Sequence, residues 1–267
     1  MIEAIIHWSL QPEIHLGSFS VRWYGILFAT GVVLAYFIVS SLYEKEGIPE
    51  KYMNYLLLLT VAFAVVGARL GEVFFYSWDY FKDHLYEIPM TWKGGLSSHG
   101  ATIGIIISAI IYSQWVIKKP FLWVGDKVVV GVAIAAAFVR FGNFANSEIF
   151  GFPTQLPWAV VFQNIDSIPR HPTQIYEAIS YLIICSFLFR ISTSKTQKLP
   201  LGAATGWFLV SLFSMRFLIE FLKENQQSFE EHLFLNMGQL LSLPFILMGV
   251  LILFRSYKKE DPAKTNA

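Results

Sequence analysis

The sequence predicts an all-α polytopic membrane protein with about seven transmembrane helices and a small extracytoplasmic loop region. Three observations predict it. Of 267 residues, 55% are hydrophobic, 16% aromatic and only 15% charged, which is more apolar mass and less charge than a soluble domain carries. A hydrocarbon core about 30 Å thick needs about 20 apolar residues per crossing helix. Seven stretches qualify, at roughly 23–43, 53–76, 99–117, 123–142, 172–189, 201–221 and 236–254. Little lies between them, so residues 1–267 read as a single integral membrane domain with short loops. A net charge of +1 supplies no basic stripe for nucleic acid. The single cysteine, Cys185, excludes an intrachain disulfide.

Residues 1–21 have no basic n-region and no small-residue cleavage site. With Trp8, Pro12, Glu13 and His15 they suit a short tail at the interface. The first span opens with Arg22 and Tyr24. The second carries Arg69 and Glu72 in its last third. The connection 77–98 holds Trp78 and Trp92 and ends in Gly94-Gly95-Leu96-Ser97-Ser98, and His99 opens the third span. The fourth span begins with Asp126 and Lys127 and ends at Arg140. A second long connection, 143–171, carries Trp158. Arg170, His171, Gln174 and Glu177 open the fifth span, and Arg216 and Glu220 close the sixth.

Loop lysines and arginines set the orientation. One side holds Lys45, Lys51, Lys118, Lys119, Arg190, Lys195, Lys198, Arg255, Lys258, Lys259 and Lys264. The other holds Lys82, Lys93, Arg170 and Lys223 as ordinary loop charges. The first set is expected to be cytoplasmic, which puts the N-terminus outside and the C-terminus inside. Every ionisable group set into a span then falls in the outer leaflet.

That one-sidedness separates function classes. A transporter places polar groups at mid-depth, on broken helices, and these span middles offer only glycines and serines. A polar site in one leaflet suits an enzyme acting on a lipid headgroup or on a peptide at the membrane surface. A transporter with a polar outer gate is the alternative. An intramembrane protease lacks a Ser/His dyad or paired aspartates at depth.

Ionisable groups inside spans are costly and mark function by default. Arg216 and Glu220, at i, i+4, share a helix face and can pair, and Gln174 and Glu177, at i, i+3, can do likewise. For Glu220, Glu177 and Arg69 a structural ion-pair network competes with a binding role. Arg140 and Arg216 favour phosphate, because two guanidiniums match a phosphodiester with planar hydrogen bonds. His99 follows the N-cap candidates Ser97 and Ser98, where the helix dipole disfavours an imidazolium and leaves a ring able to accept a proton. Gly94, Gly95 and Gly100 allow close approach of backbone and ligand. Tyr24 reads as a belt aromatic and Cys185 as packing. His7, His15, His84 and His232 show no metal-ligand spacing.

Several ordered motifs together resemble the bacterial prolipoprotein diacylglyceryl transferases. They are Val21-Arg-Trp-Tyr24-Gly25, Gly67-Ala-Arg69, Gly94-Gly-Leu-Ser-Ser-His99-Gly100, and Arg140-Phe-Gly142-Asn143-Phe-Ala-Asn146-Ser-Glu148-Ile-Phe-Gly151. Arg170-His-Pro-Thr-Gln174-Ile-Tyr-Glu177, Arg216-Phe-Leu-Ile-Glu220-Phe and Met237-Gly-Gln-Leu-Leu-Ser242 complete the set. The chain departs from some relatives at Val139, at Leu212 and at Lys223-Glu-Asn-Gln226.

The resemblance implies a seven-span plasma-membrane enzyme with no cofactor. Such an enzyme moves the diacylglyceryl group of phosphatidylglycerol onto the lipobox cysteine of a prolipoprotein signal peptide and releases glycerol 1-phosphate. It implies His99, Arg216 and Tyr24 as catalytic residues. Arg140, Asn143, Gly151, Arg69, Glu148, Gln174 and Glu177 are the expected phosphatidylglycerol-binding residues.

Overall fold

A computed structural model describes residues 6–17, 19–194, 198–224 and 234–259. Lys195, His232 and Lys264 lie outside the described residues. Seven helices among the described residues are long and apolar enough to cross a membrane. Their bounds fall within a few residues of those read from hydropathy. The chain divides into two compact units, residues 1–39 with 125–267, and residues 40–124.

In the first unit, three short strands replace the expected interfacial tail. Strands β2 (Glu13–Leu16) and β3 (Phe19–Arg22) form an antiparallel hairpin. Strand β1 (Ile6–Trp8) runs parallel to β4 (Val160–Phe162), which pairs antiparallel with β5 (Pro169–Arg170). Trp8 packs on Phe144, with ring centroids 4.5 Å apart, and Phe144 also meets Phe162, so aromatic contacts tie one end of this small sheet to the end of the fourth apolar helix.

Helix α1 (Trp23–Lys45) runs from the hairpin through the first unit and ends in the second. It meets α5 (Phe121–Ala145) through glycines. A Cβ on Gly31 would lie 2.7 Å from the Phe138 Cβ, and one on Gly131 would lie 2.8 Å from a Val39 methyl. Helices α6 (Thr173–Ser192), α7 (Ala203–Glu220) and α8 (Met237–Lys259) complete this unit. Asp126 is buried inside α5 at the end opposite Arg140, an exception to the expectation that every ionisable group in a span shares one leaflet, and its partners account for it. It accepts from the Gly202 N–H (2.6 Å), the Thr205 N–H (2.9 Å) and the Thr205 hydroxyl (2.8 Å), and so satisfies donors that the start of α7 leaves open.

The second unit is built on α2 (Glu50–Gly71) and α4 (Ser98–Ile111). Each carries a Gly-x-x-x-Gly pair, Gly67 with Gly71 and Gly100 with Gly104, and their backbones touch. A Cβ on Gly71 would sit 2.6 Å from the Gly100 Cα, and one on Gly67 would collide with the Gly100 carbonyl. Small residues permit such an approach in lipid, where packing replaces the hydrophobic drive. Gly100 therefore serves helix contact rather than ligand approach. Both helices end in π turns, Glu72–Tyr76 after α2 and Tyr112–Val116 after α4. Between them the chain forms α3 (Trp78–Phe81) and two 3-10 turns, Leu85–Glu87 and Thr91–Lys93.

Candidate active site

The first unit gathers most of the expected site residues. α5 delivers Arg140 in its last turns. The Arg140 Nε faces a Glu177 carboxylate oxygen of α6 at 3.0 Å, and its Nη1 donates to the Asn143 side-chain oxygen at 3.2 Å. Glu177 is fully buried, and it also accepts from the Tyr181 hydroxyl at 3.1 Å. A lone buried carboxylate would cost several kcal/mol, about the desolvation of one ion, so this pairing is what allows it there.

The remaining partner of Glu177 is Lys223, whose ammonium lies 3.1 Å from Glu177 and 3.0 Å from Glu220. Lys223 is only 2% exposed. It was read above as an ordinary loop charge, and that reading is corrected. The i, i+3 spacing from Glu220 was the available signal, since one more helical turn puts both on one face. The expected pairs do not form: Glu220 turns to Lys223 instead of Arg216, and Gln174 turns away from Glu177. Arg216 is half-buried and makes no ion pair or hydrogen bond among the described residues. Arg140 and Arg216 both act electrostatically on the Tyr181 hydroxyl, so they share one neighbourhood.

Beyond Arg140 the chain is held in an unusual shape. Ser147 and Ile149 adopt φ of 57° and 56°, a region that costs a β-branched residue of order 1–3 kcal/mol. α6 holds this turn. Gln174 donates to the Glu148 carbonyl at 2.5 Å, and the Thr173 hydroxyl donates to the Ile149 carbonyl at 2.9 Å. The Glu148 carboxylate accepts from Asn146 (2.9 Å) and Asn143 (3.3 Å). The Asn146 and Gln174 side-chain oxygens are buried without a hydrogen-bond partner. They are acceptors that a hydroxylated ligand or water would satisfy.

Gly151 is fixed by its surroundings. Its N–H donates to the His171 carbonyl at 2.9 Å, and a Cβ there would lie 2.7 Å from the His171 Cβ and collide with the Leu222 carbonyl. Burial pushes the His171 imidazole toward its neutral form. Tyr24 is half-buried with its ring over Gly142, where a Cβ would come within 2.8 Å of it. Only glycine at 142 lets Tyr24 lie on the Arg140–Asn143 turn. Cys185 is buried with its thiol toward the Val130 carbonyl at 3.5 Å, which fits a packing role.

Arg69 and His99 belong to the second unit. Arg69 is buried, and four of its five guanidinium N–H donors are used. Nε donates to Ile88 (2.7 Å), Nη2 to Glu87 (2.7 Å), and Nη1 to Gly94 (2.6 Å) and Gly95 (3.2 Å), all backbone carbonyls. Gly94 and Gly95 adopt φ of 87° and 72°, which turns their carbonyls onto the arginine at no steric cost. A 420 Å³ pocket lies here, lined in part by Arg69, Glu72, Glu87 and Lys93. The Lys93 ammonium beside Glu87 holds that carboxyl below the usual carboxylate range.

Ser97 caps α4 by accepting from the Gly100 N–H at 3.2 Å, so His99 stands in the first turn, at the positive end of the dipole. Its Nδ1 is hydrogen-bonded to the Tyr76 hydroxyl at 2.7 Å. That leaves Nε2 as the ring nitrogen directed elsewhere.

Comparison with known proteins matches residues 12–255 to the model of the prolipoprotein diacylglyceryl transferase family. Curated phosphatidylglycerol–prolipoprotein diacylglyceryl transferases are similar over nearly their whole length. The Chloroherpeton thalassium protein is 39% identical over 262 residues, covering 98% of each chain. The Porphyromonas gingivalis protein is 40% identical, covering 98% of this chain and 99% of its own. The Tolumonas auensis protein is 38% identical, covering 96% and 99%. Motifs, helices and relatives agree, and the chain belongs to the prolipoprotein diacylglyceryl transferase family.

Proposed function

We propose that this protein transfers the diacylglyceryl group of phosphatidylglycerol to the cysteine thiol of a prolipoprotein lipobox. One observation carries the reading. Arg216 is left without an ion pair or hydrogen bond among the described residues, while Arg140, in the same neighbourhood, is held by Glu177 and Asn143. An unmatched guanidinium at a span end is expensive unless an anion arrives to meet it, and a phosphodiester supplies two oxygens in the right plane.

The nucleophile belongs to the substrate. His99 accepts the thiol proton through Nε2 when Nδ1–H donates to Tyr76. The thiolate attacks the glycerol carbon bearing the phosphate, a C–S bond forms and the C–O bond breaks. Glycerol 1-phosphate leaves with the electron pair, and the proton passes from His99 to the leaving group or water. Arg140 and Arg216 stabilise the charge that builds on the phosphate oxygens. Tyr24, Asn143, Glu148 and Gln174 hold headgroup hydroxyls, and Gly151 lets Leu222 and His171 pack against the turn that carries Glu148. Glu177 aims Arg140, while Arg69 shapes the loop over its own unit. We read residues 1–267 as one working membrane domain, with its N-terminus outside and its lysine-rich loops in the cytoplasm.

The decisive assay incubates purified protein with phosphatidylglycerol and a lipobox peptide. Mass spectrometry is expected to show diacylglyceryl on the cysteine and glycerol phosphate released in equal amount. Lipid movement across vesicles without a covalent product would overturn the reading. His99→Gln is expected to slow transfer about 100-fold, and a wild-type rate would remove the base assignment.

A further inference from the structure

Lys223 follows α7 by three residues, yet its ammonium is buried between Glu177 and Glu220. The backbone fixes its place, since Lys223 bridges Gly151, and the Phe152 N–H donates to the Leu222 carbonyl at 2.9 Å. Glu220 is confined from the far side by Gly238, where a Cβ would lie 2.5 Å from the carboxylate carbon. The Glu220 carboxylate thus has two cations within side-chain reach along α7, Arg216 at i−4 and Lys223 at i+3. It takes Lys223.

That choice decides what Arg216 can bind. Three cations (Arg140, Arg216, Lys223) face two carboxylates (Glu177, Glu220) in this cluster. One positive charge is therefore left over, and it resides on Arg216. Two further charged groups flank the cluster: Glu148 is linked to Arg140 through Asn143 but is exposed, where solvent screens it, and Arg170 is paired with Asp166 and Glu224. We propose that Lys223 is a positioning residue that holds Glu220 away from Arg216, keeping that guanidinium open for a phosphodiester monoanion. The proposal rests on the phosphate reading above. It also explains release, because one net positive charge matches a diester but falls short of a monoester, whose second pKa is about 6.

Without Lys223, Glu220 would turn to Arg216 and the cluster would be neutral. The test measures KM for phosphatidylglycerol and for the lipobox peptide separately. Lys223→Gln is expected to raise the lipid KM about tenfold, the effect of one lost charge match, and to leave the peptide KM unchanged. Lys223→Arg is expected to recover most of the loss. The double variant Lys223→Gln/Glu220→Gln deletes the whole ion pair and keeps the surplus charge, so it is expected to restore the lipid KM. A wild-type lipid KM in Lys223→Gln, or a double variant as impaired as the single one, overturns the proposal. Should the single variant unfold, the double variant decides alone: a near-wild-type lipid KM supports the proposal and one raised about tenfold overturns it. If Arg140→Ala and Arg216→Ala leave the lipid KM unchanged, the phosphate reading itself fails, whatever Lys223 does.

Discussion

Arg69 and Arg140 are both arginines set near the ends of apolar helices, and their surroundings differ in kind. Arg69 meets neutral groups, backbone carbonyls on all three of its nitrogens and the Phe81 ring 4.9 Å from its Cζ. Arg140 meets a carboxylate and an amide, with a second guanidinium unpaired in the same neighbourhood. A guanidinium that spends four of its five N–H donors on backbone acts first as a fastener. One held by a carboxylate beside an unpaired neighbour is aimed. Burial alone does not separate the two cases, whereas the identity of the partners does.

The largest effect should come from the aimed pair. Arg140→Ala or Arg216→Ala is expected to lower the transfer rate at least about 100-fold, as loss of an oxyanion donor does elsewhere, with membrane insertion intact. Near-normal transfer in both would erase the distinction. Arg69→Lys sharpens it from the other side. Charge is kept but the planar fork is lost, so amides between 84 and 97 should exchange faster, by about 1–3 kcal/mol of local stability. Unchanged hydrogen exchange there would show that Arg69 is no fastener.

The glycine seam that carries Arg69 comes next. Gly104→Val is expected to cost about 1–3 kcal/mol, an overpacking penalty, read as a lower melting temperature in detergent. The smallest effect belongs to the rim of the first unit. Arg170 beside Asp166 holds its carboxyl below the usual carboxylate range. A depressed folded pKa stabilises above the ordinary value of about 3.9 and is lost as pH falls through the folded one. Asp166→Asn should remove about 0.5–1 kcal/mol at neutral pH, the upper part of the range for pairs open to solvent on one side, and flatten the acid limb of the stability profile. An unaltered acid limb would show that the pair contributes nothing.

Hydropathy made the spans legible because each is long, apolar and bounded by charge. The strands were not legible. β1 is three residues long and pairs with residues more than 150 positions away, so no local period announces it. The π turn at Glu72–Tyr76, which brings Tyr76 to His99, leaves no mark in composition either. Within the site, the sequence singled out Arg140 and Arg216, because charges at span ends stand out. Tyr24 read as a belt aromatic and became a candidate only through the resemblance, and Glu177 was left between ion pair and ligand. Partner choice was hidden: i, i+4 spacing offered Arg216 to Glu220, and burial against Glu177 and Gly238 awarded Glu220 to Lys223. The Gly-x-x-x-Gly pairs Gly67 with Gly71 and Gly100 with Gly104 went unread, because the motif around His99 drew Gly100 toward ligand approach.

Where α2 and α4 touch, each wall is peptide backbone. A seam of interlocking side chains can be loosened or tightened a methyl at a time, but this one has no smaller residue to retreat to, and its next larger one already overlaps. It therefore acts as a rivet, and sequence drift along these two helices must pass around those four positions.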